Sequence, residues 1–353
     1  MILTKQKTAP YLFSAAAILY CVLLITNAEA VTDGIIESIF RCINIIVPSL
    51  FAFMAVSGVI IKSRIYSYIS KPFHFFSKYI LNVPDNLFFI FILENISGYP
   101  IGIKLLSDMV KEEKIPPRTA EIMSCYCYAG GPAFLTGAVG LAVFGSKKVG
   151  LLMFLSILTA NFLVGMVMNR IFKLKCLDSG NSFVFKPETV INSITEAGRS
   201  LFVMCALIVF FSTIISVLDS CNVFGLLADN FNITDNGSVL IKSFLEISSV
   251  TRLTGAPYRL IPLITSICGF GGICVILQII AVNQNSFSLR MFFLTRGICF
   301  IIQYFVSLFI FMLFNNKYVA ASAAQPEIIV DFNNFVPSIC LIMMIFLLVL
   351  RKD

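Results

Sequence analysis

The chain has 353 residues, 58% of them hydrophobic and 13% charged, with a mean hydropathy of +0.92. That leaves too little polar surface to cover a soluble globule, so the chain reads as an integral membrane protein. The net charge of +7 comes from basic residues scattered singly between apolar runs, which excludes the dense basic stripe of a nucleic-acid binder.

In chain order, long apolar runs lie near residues 11–27, 39–61, 121–144, 149–169, 200–218, 260–282, 290–314 and 335–350. Several reach the ~20 residues that a helical span needs. They predict an all-α polytopic membrane protein with about eight transmembrane helices, and their continuity argues against a β-barrel, whose strands alternate. Lys5, Lys7 and Ala28-Glu29-Ala30 flank the first run as they would in a cleaved secretory signal. A second long run follows almost at once, which favours an uncleaved first helix. The basic, aromatic stretch 65–80 holds the single histidine, His74, and reads as an interfacial segment. Most of the eleven cysteines fall inside predicted spans without regular spacing, so they read as reduced core residues and no metal site is expected.

Two apolar stretches are interrupted in the same way. One runs Leu93-Glu94-Asn95-Ile96-Ser97-Gly98-Tyr99-Pro100-Ile101-Gly102-Ile103-Lys104, the other Leu245-Glu246-Ile247-Ser248-Ser249-Val250-Thr251-Arg252-Leu253-Thr254-Gly255. Each precedes another interrupted run, Cys127-Tyr128-Ala129-Gly130-Gly131-Pro132 in the first half and Cys268-Gly269-Phe270-Gly271-Gly272 in the second. Paired helix breaks in corresponding positions of two halves point to the binding site of a transporter.

The pattern divides the chain into an N-terminal transmembrane helix (1–34), a first repeat (35–175), a second repeat (176–316) and a C-terminal transmembrane helix (317–353). The first repeat reads as span, re-entrant hairpin 87–106, broken helix 121–144, span. The second reads as span, hairpin 239–256, broken helix 260–282, span. If 87–106 dips in and returns, Lys111, Lys114, Arg118, Arg170, Lys173, Lys175 and Lys186 join Lys5 and Lys7 on the inner side. The second hairpin then enters from the opposite face, and the two repeats are inverted. The alternative, a full crossing by 87–106, puts Lys111, Lys114 and Arg118 outside.

Non-helical backbone at membrane depth requires protein or water around it. Gly98, Gly102, Gly130, Gly131, Gly271 and Gly272 permit unwinding, while Pro100 and Pro132 suit the restart of a helix. A restarted helix offers amides to an anion, and a stopped one offers carbonyls to a cation. Glu94 and Glu246 are costly at that depth, which marks them for substrate or coupling-ion binding. The bland alternative pairs Glu94 with Lys104 and Glu246 with Arg252. Lys104 and Arg252 could instead meet an anionic substrate or snorkel. Asn95, Ser97, Ser248, Ser249, Thr251 and Gln278 add hydrogen-bonding groups, and Tyr99, Tyr126 and Tyr128 add aromatic faces or plain packing.

At Ser97-Gly98-Tyr99-Pro100-Ile101-Gly102-Ile103-Lys104, Gly131-Pro132-Ala133-Phe134, Gly137-Ala138-Val139-Gly140, and Phe270-Gly271-Gly272 with Gln278, the chain resembles a known family. These are the sporulation integral membrane proteins of the YlbJ type, which carry the nucleoside recognition or Gate domain. The resemblance implies a fold similar to concentrative nucleoside transporters and transport of dipicolinic acid during endospore formation. Where the family pattern has Cys-Asn-Asn before its Gly-Pro, this chain has Cys127-Tyr128-Ala129 before Gly130-Gly131-Pro132.

The expected function is therefore secondary transport of a small polar or anionic aromatic solute by alternating access. A nucleoside carrier and a non-transporting scaffold for spore maturation are the alternatives. No Walker A loop, HExxH helix or GxSxG elbow points to an enzyme. No cofactor is expected beyond a coupling H+ or Na+. The expected partners are a small-molecule substrate, the lipid bilayer and, optionally, a second copy in a homo-oligomer. The expected location is the bacterial cell membrane, with the forespore membrane as its specialised form.

Overall fold

A computed structural model describes residues 5–174, 176, 186–231, 235–253 and 255–314. Every regular element among them is helical. Helix α1 (Lys5–Thr26) stops at Asn27, whose side-chain amide donates to the Leu23 carbonyl at 2.9 Å. There the chain turns by 90° into α2 (Ala28–Arg41), which runs through a π-helical stretch, Cys42–Ile46, into α3 (Val47–Lys62). A second bend, of 93°, separates α3 from Tyr66–Phe73, which contains the short α4 (Tyr66–Ile69). Tyr68 of this segment and Phe75, Phe76 and Tyr79 just after it are exposed, and His74 Nδ1 lies 2.8 Å from Asp85. Exposed rings beside lysines are the composition of a membrane–water boundary.

The first interrupted stretch folds as α5 (Asp85–Ser97) and α6 (Ile101–Lys111), parted at 98–100. It is followed by α7 (Pro117–Ser124), an irregular stretch at 125–131, a π-helical turn, Phe134–Leu141, and α8 (Ala142–Phe144). Next come α9 (Lys147–Ile171), α10 (Pro187–Ser220), α11 (Val223–Phe231) and α12 (Asp235–Leu245). The second interrupted stretch continues from α12 through Glu246 into a tight 3₁₀ segment, Ile247–Arg252. The second part of this stretch is thus not an α-helix, as befits a run of Ile, Val, Thr and two serines with poor helix propensity. Last are α13 (Ile261–Phe270), α14 (Gly272–Asn283) and α15 (Arg290–Phe314).

The protein is an all-α polytopic membrane protein with several apolar helices and bent or broken pairs. Four described segments are long and apolar enough to cross a membrane: Lys147–Ile171, Pro187–Ser220, Tyr258–Asn283 and Arg290–Phe314. Counting each bent pair as one span gives up to six. The expectation of eight is therefore not met among the described residues. The runs at 11–27 and 39–61 are arms of bent pairs, 121–144 is cut by its irregular centre, and 335–350 lies outside the described residues.

Packing places α10 against α2 and α3, and α15 against α9 and α13. Helix α15 shows which solvent the chain is built for. Leu294, Ile298, Ile301, Phe305 and Phe309 are exposed along one face, while Phe292, Arg296, Cys299, Gln303 and Ser307 are buried along the other. Lipid accepts the apolar outer face, and the polar inner face finds partners within the bundle.

Candidate functional site

The first half builds a crossing of two chain breaks around Glu94. This residue lies in the last turn of α5 and is fully buried. One carboxylate oxygen accepts from the backbone N–H of Gly102 in the first turn of α6, and the other from that of Ala129 at 3.1 Å. The charge sits at the positive end of a restarted helix and satisfies amides that the break leaves without helical partners. Tyr99 N–H adds a bond to the Ala129 carbonyl, 2.7 Å. Gly98 and Gly131 let the two backbones touch: a Cβ on Gly131 would lie 2.9 Å from the Ser97 carbonyl oxygen, and Gly98 holds φ +86°.

Two tyrosines then join this crossing to the second half. Tyr99 and Tyr128 stack with ring centroids 5.0 Å apart. Tyr99 OH donates to the Cys268 carbonyl at 3.3 Å, and Tyr128 OH to the Phe270 carbonyl at 2.8 Å. Those carbonyls belong to the last turn of α13, where the helix stops and leaves acceptors open. Gly130 sits in the same place, with the Cys268 oxygen 3.6 Å from where its Cβ would be. Asn161 of α9 anchors the crossing from behind by donating to the Tyr128 carbonyl at 2.9 Å, and Gln303 of α15 reaches Asn161 at 3.4 Å.

In the second half Glu246 does a related job. It terminates α12 in an extended conformation, and its carboxylate accepts from Ser248 N–H at 3.0 Å and from the Ser248 hydroxyl. Arg41 donates to that hydroxyl at 2.6 Å and lies 3.9 Å from the carboxylate. Thr251 and Ser249 close the turn through Ser248 O (2.8 Å) and Glu246 O (3.1 Å). Gly271 (φ +86°) separates α13 from α14, and a Cβ on Gly272 would lie 3.1 Å from the carbonyl oxygens of Ser243 and Phe244. In both halves a glycine at a helix break thus rests on the end of the helix that enters the interrupted stretch.

Lys104, Arg252 and Gln278 fall outside the two crossings. Lys104 pairs with Asp108 (2.9 Å) and approaches Glu196 (3.8 Å), not Glu94. Arg252 pairs with Glu37, not Glu246. Gln278 is buried in α14 and donates to Cys274 Sγ one turn back, 3.5 Å. Pro100 and Pro132 stand just before the restarted helical segments. Asn95 donates to the Phe91 carbonyl at 2.7 Å, while Asn95 Oδ1 and the Ser97 hydroxyl are buried without partners. Among the described residues no cluster of three or more His, Cys, Asp or Glu could hold a metal.

Four residues absent from the sequence reading belong to this region: Arg41, Asn161, Arg296 and Gln303. Arg296 is the most unusual. It is buried beneath the irregular stretch at 125–131, donates to the Cys125 carbonyl, and lies 3.4 Å from Cys299 Sγ. Its guanidinium carbon is 4.8 Å from the Tyr128 ring centroid and 4.7 Å from that of Phe292. The available signal was a charge on the same helical face as Cys299, Gln303 and Ser307 within an apolar span.

Compared with known proteins, the chain is 27% identical over 125 residues to the sporulation integral membrane protein YlbJ of Bacillus subtilis (strain 168). The aligned part is 35% of this chain and 31% of the relative, so the match spans about a third of each and marks a distant homology. No family model and no solved structure matches.

Proposed function

We propose that the chain is a secondary transporter of a small polar or anionic aromatic solute, working by alternating access around the crossed breaks. One observation carries this reading: bare backbone from two breaks of the first half meets the stopped helix of the second half through the hydroxyls of Tyr99 and Tyr128. These bonds can part by a local shift of the irregular stretches 98–100 and 125–131, while the apolar core that α9 shares with α13 and α15 stays packed. Irregular backbone at membrane depth is tolerated where it lines a cavity or lies within protein, and separation would exchange the second situation for the first.

The same reading organises the chain as inverted repeats at 35–175 and 176–316, with re-entrant hairpins at 87–106 and 239–256. The paired rests of Gly131 on Ser97 and of Gly272 on Ser243 and Phe244 support it. Dipicolinate is the proposed cargo, on the strength of the distant relation to a sporulation membrane protein and of the family resemblance. Glu94 and Glu246 hold the breaks in shape through backbone amides, so their part in transport is to position the site.

The test is uptake of labelled pyridine-2,6-dicarboxylate and, separately, of labelled uridine into proteoliposomes, each with both solutes as unlabelled competitors. Saturable uptake, competed by the dicarboxylate and reduced in Glu94→Gln and Glu246→Gln, is expected. Uptake of labelled uridine without uptake of the dicarboxylate would make it a nucleoside carrier. Absence of flux for both solutes would leave a scaffold.

A further inference from the structure

We propose that Arg296 is the residue that receives a carboxylate of the transported solute; this rests on the transport reading above. The argument starts from an imbalance. Arg296 is 3% exposed in a membrane helix, and no carboxylate of the described residues lies within ion-pair distance of it. Its Nη2 serves the Cys125 carbonyl, but Nε and Nη1 have no acceptor. A guanidinium carries five N–H donors, and the one on Nε and two on Nη1 are left unused. A buried cation in a bundle normally finds a counter-charge, and leaving one without is costly. Glu94 is near enough for its charge to attract Arg296, but it makes no hydrogen bond or ion pair with the guanidinium and accepts instead from the amides of Gly102 and Ala129, so the Nε and Nη1 donors stay unused.

The surroundings hold the cation in place. The rings of Tyr128 and Phe292, packed edge-to-face 5.3 Å apart, both lie against the guanidinium, and Tyr99 stacks on Tyr128. The rings fix the cation, and its unused N–H donors would take the carboxylate of a solute. The bond from Arg296 to Cys125, the first residue after α7, ties the cation to the irregular stretch that lies over it. Displacing that stretch therefore uncovers Arg296 in the same movement that parts Tyr128 from the Phe270 carbonyl.

Binding to the full chain in detergent, read by titration calorimetry, tests this with three probes: pyridine-2,6-dicarboxylate, its neutral dicarboxamide and uridine. In the unmodified protein the dicarboxylate should bind at least about tenfold more tightly than the dicarboxamide, the scale of one charge-assisted contact. Arg296→Gln should erase that preference, and Arg296→Lys should keep part of it. Equal affinity for the two pyridines in the unmodified protein overturns the assignment without any variant, as does a preference that survives in Arg296→Gln. If the dicarboxamide or uridine binds but the dicarboxylate has no advantage, transport stands and Arg296 is not its anion site. If none of the three binds, the transport reading falls and this inference with it.

Discussion

Glu94 was legible as an exceptional residue because a carboxylate inside an apolar run is expensive, yet its partners were not. One of them, Ala129, is remote in sequence, and nothing local announces that its amide needs an acceptor. In Glu94→Gln the neutral amide keeps one oxygen for two N–H groups, so one of them loses its acceptor. The expected cost is ~1–3 kcal/mol, seen as a lower Tm in detergent; an unchanged Tm would mean that the two amides do not depend on the carboxylate. Gly131→Ala offers a cleaner contrast. Its methyl group would press on the Ser97 carbonyl, whereas Gly137 has nothing within 4 Å of where its Cβ would be. Gly131→Ala is expected to destabilise by ~1–3 kcal/mol, and Gly137→Ala to be neutral or slightly stabilising through helix propensity. Arg296 escaped the sequence reading for a different reason. Averaged over an apolar span of 25 residues, one arginine barely changes the hydropathy, and only the helical face it shares with Cys299, Gln303 and Ser307 gives it away.

At the level of elements, the breaks themselves could be read from Gly98, Pro100, Gly130, Gly131, Gly271 and Gly272, because these residues act on the local backbone. What they meet could not, since the tyrosine hydroxyls cross from one half to the other. Removing them tests whether those bonds hold the halves together. Tyr128→Phe keeps the ring over Arg296 and frees the Phe270 carbonyl, at an expected cost of ~0.5–1.5 kcal/mol. Hydrogen exchange should then accelerate in α13 and at 125–131 but not in α9. Equal protection in both proteins would show that the tyrosine bond does not close the junction. The bend at Asn27 and the 3₁₀ segment Ile247–Arg252 were also invisible beforehand: a hydropathy window records how apolar a run is, not whether its axis turns.

For the molecule as a whole, the polar contacts separate into two levels. At the crossings they are buried and mostly involve backbone. Farther along α6 they are charged, with ion pairs from Lys62 to Glu196 at 2.6 Å and Lys104 to Asp108 at 2.9 Å, and a hydrogen bond from Lys111 to Gln284 at 2.6 Å. This outer set joins α3, α6, α10 and the end of α14 beside a cavity of about 210 Å³ lined by Lys62, Asp108, Lys111, Glu112 and Glu196. Because Glu196 is half exposed, Glu196→Gln should lower stability by no more than ~1 kcal/mol, and the difference in Tm should shrink in high salt. A larger, salt-independent loss would mean that the outer set is a buried lock. The central claim is that solute passes where the breaks cross. Its most direct test is initial-rate uptake of labelled pyridine-2,6-dicarboxylate by proteoliposomes carrying the unmodified chain, Gly131→Ala or Gly137→Ala at matched protein content. The account predicts saturable uptake by the unmodified chain and by Gly137→Ala, with a loss of at least about tenfold in Gly131→Ala. Uptake by Gly131→Ala at the unmodified rate, or by the unmodified chain no faster than by empty vesicles, would contradict it.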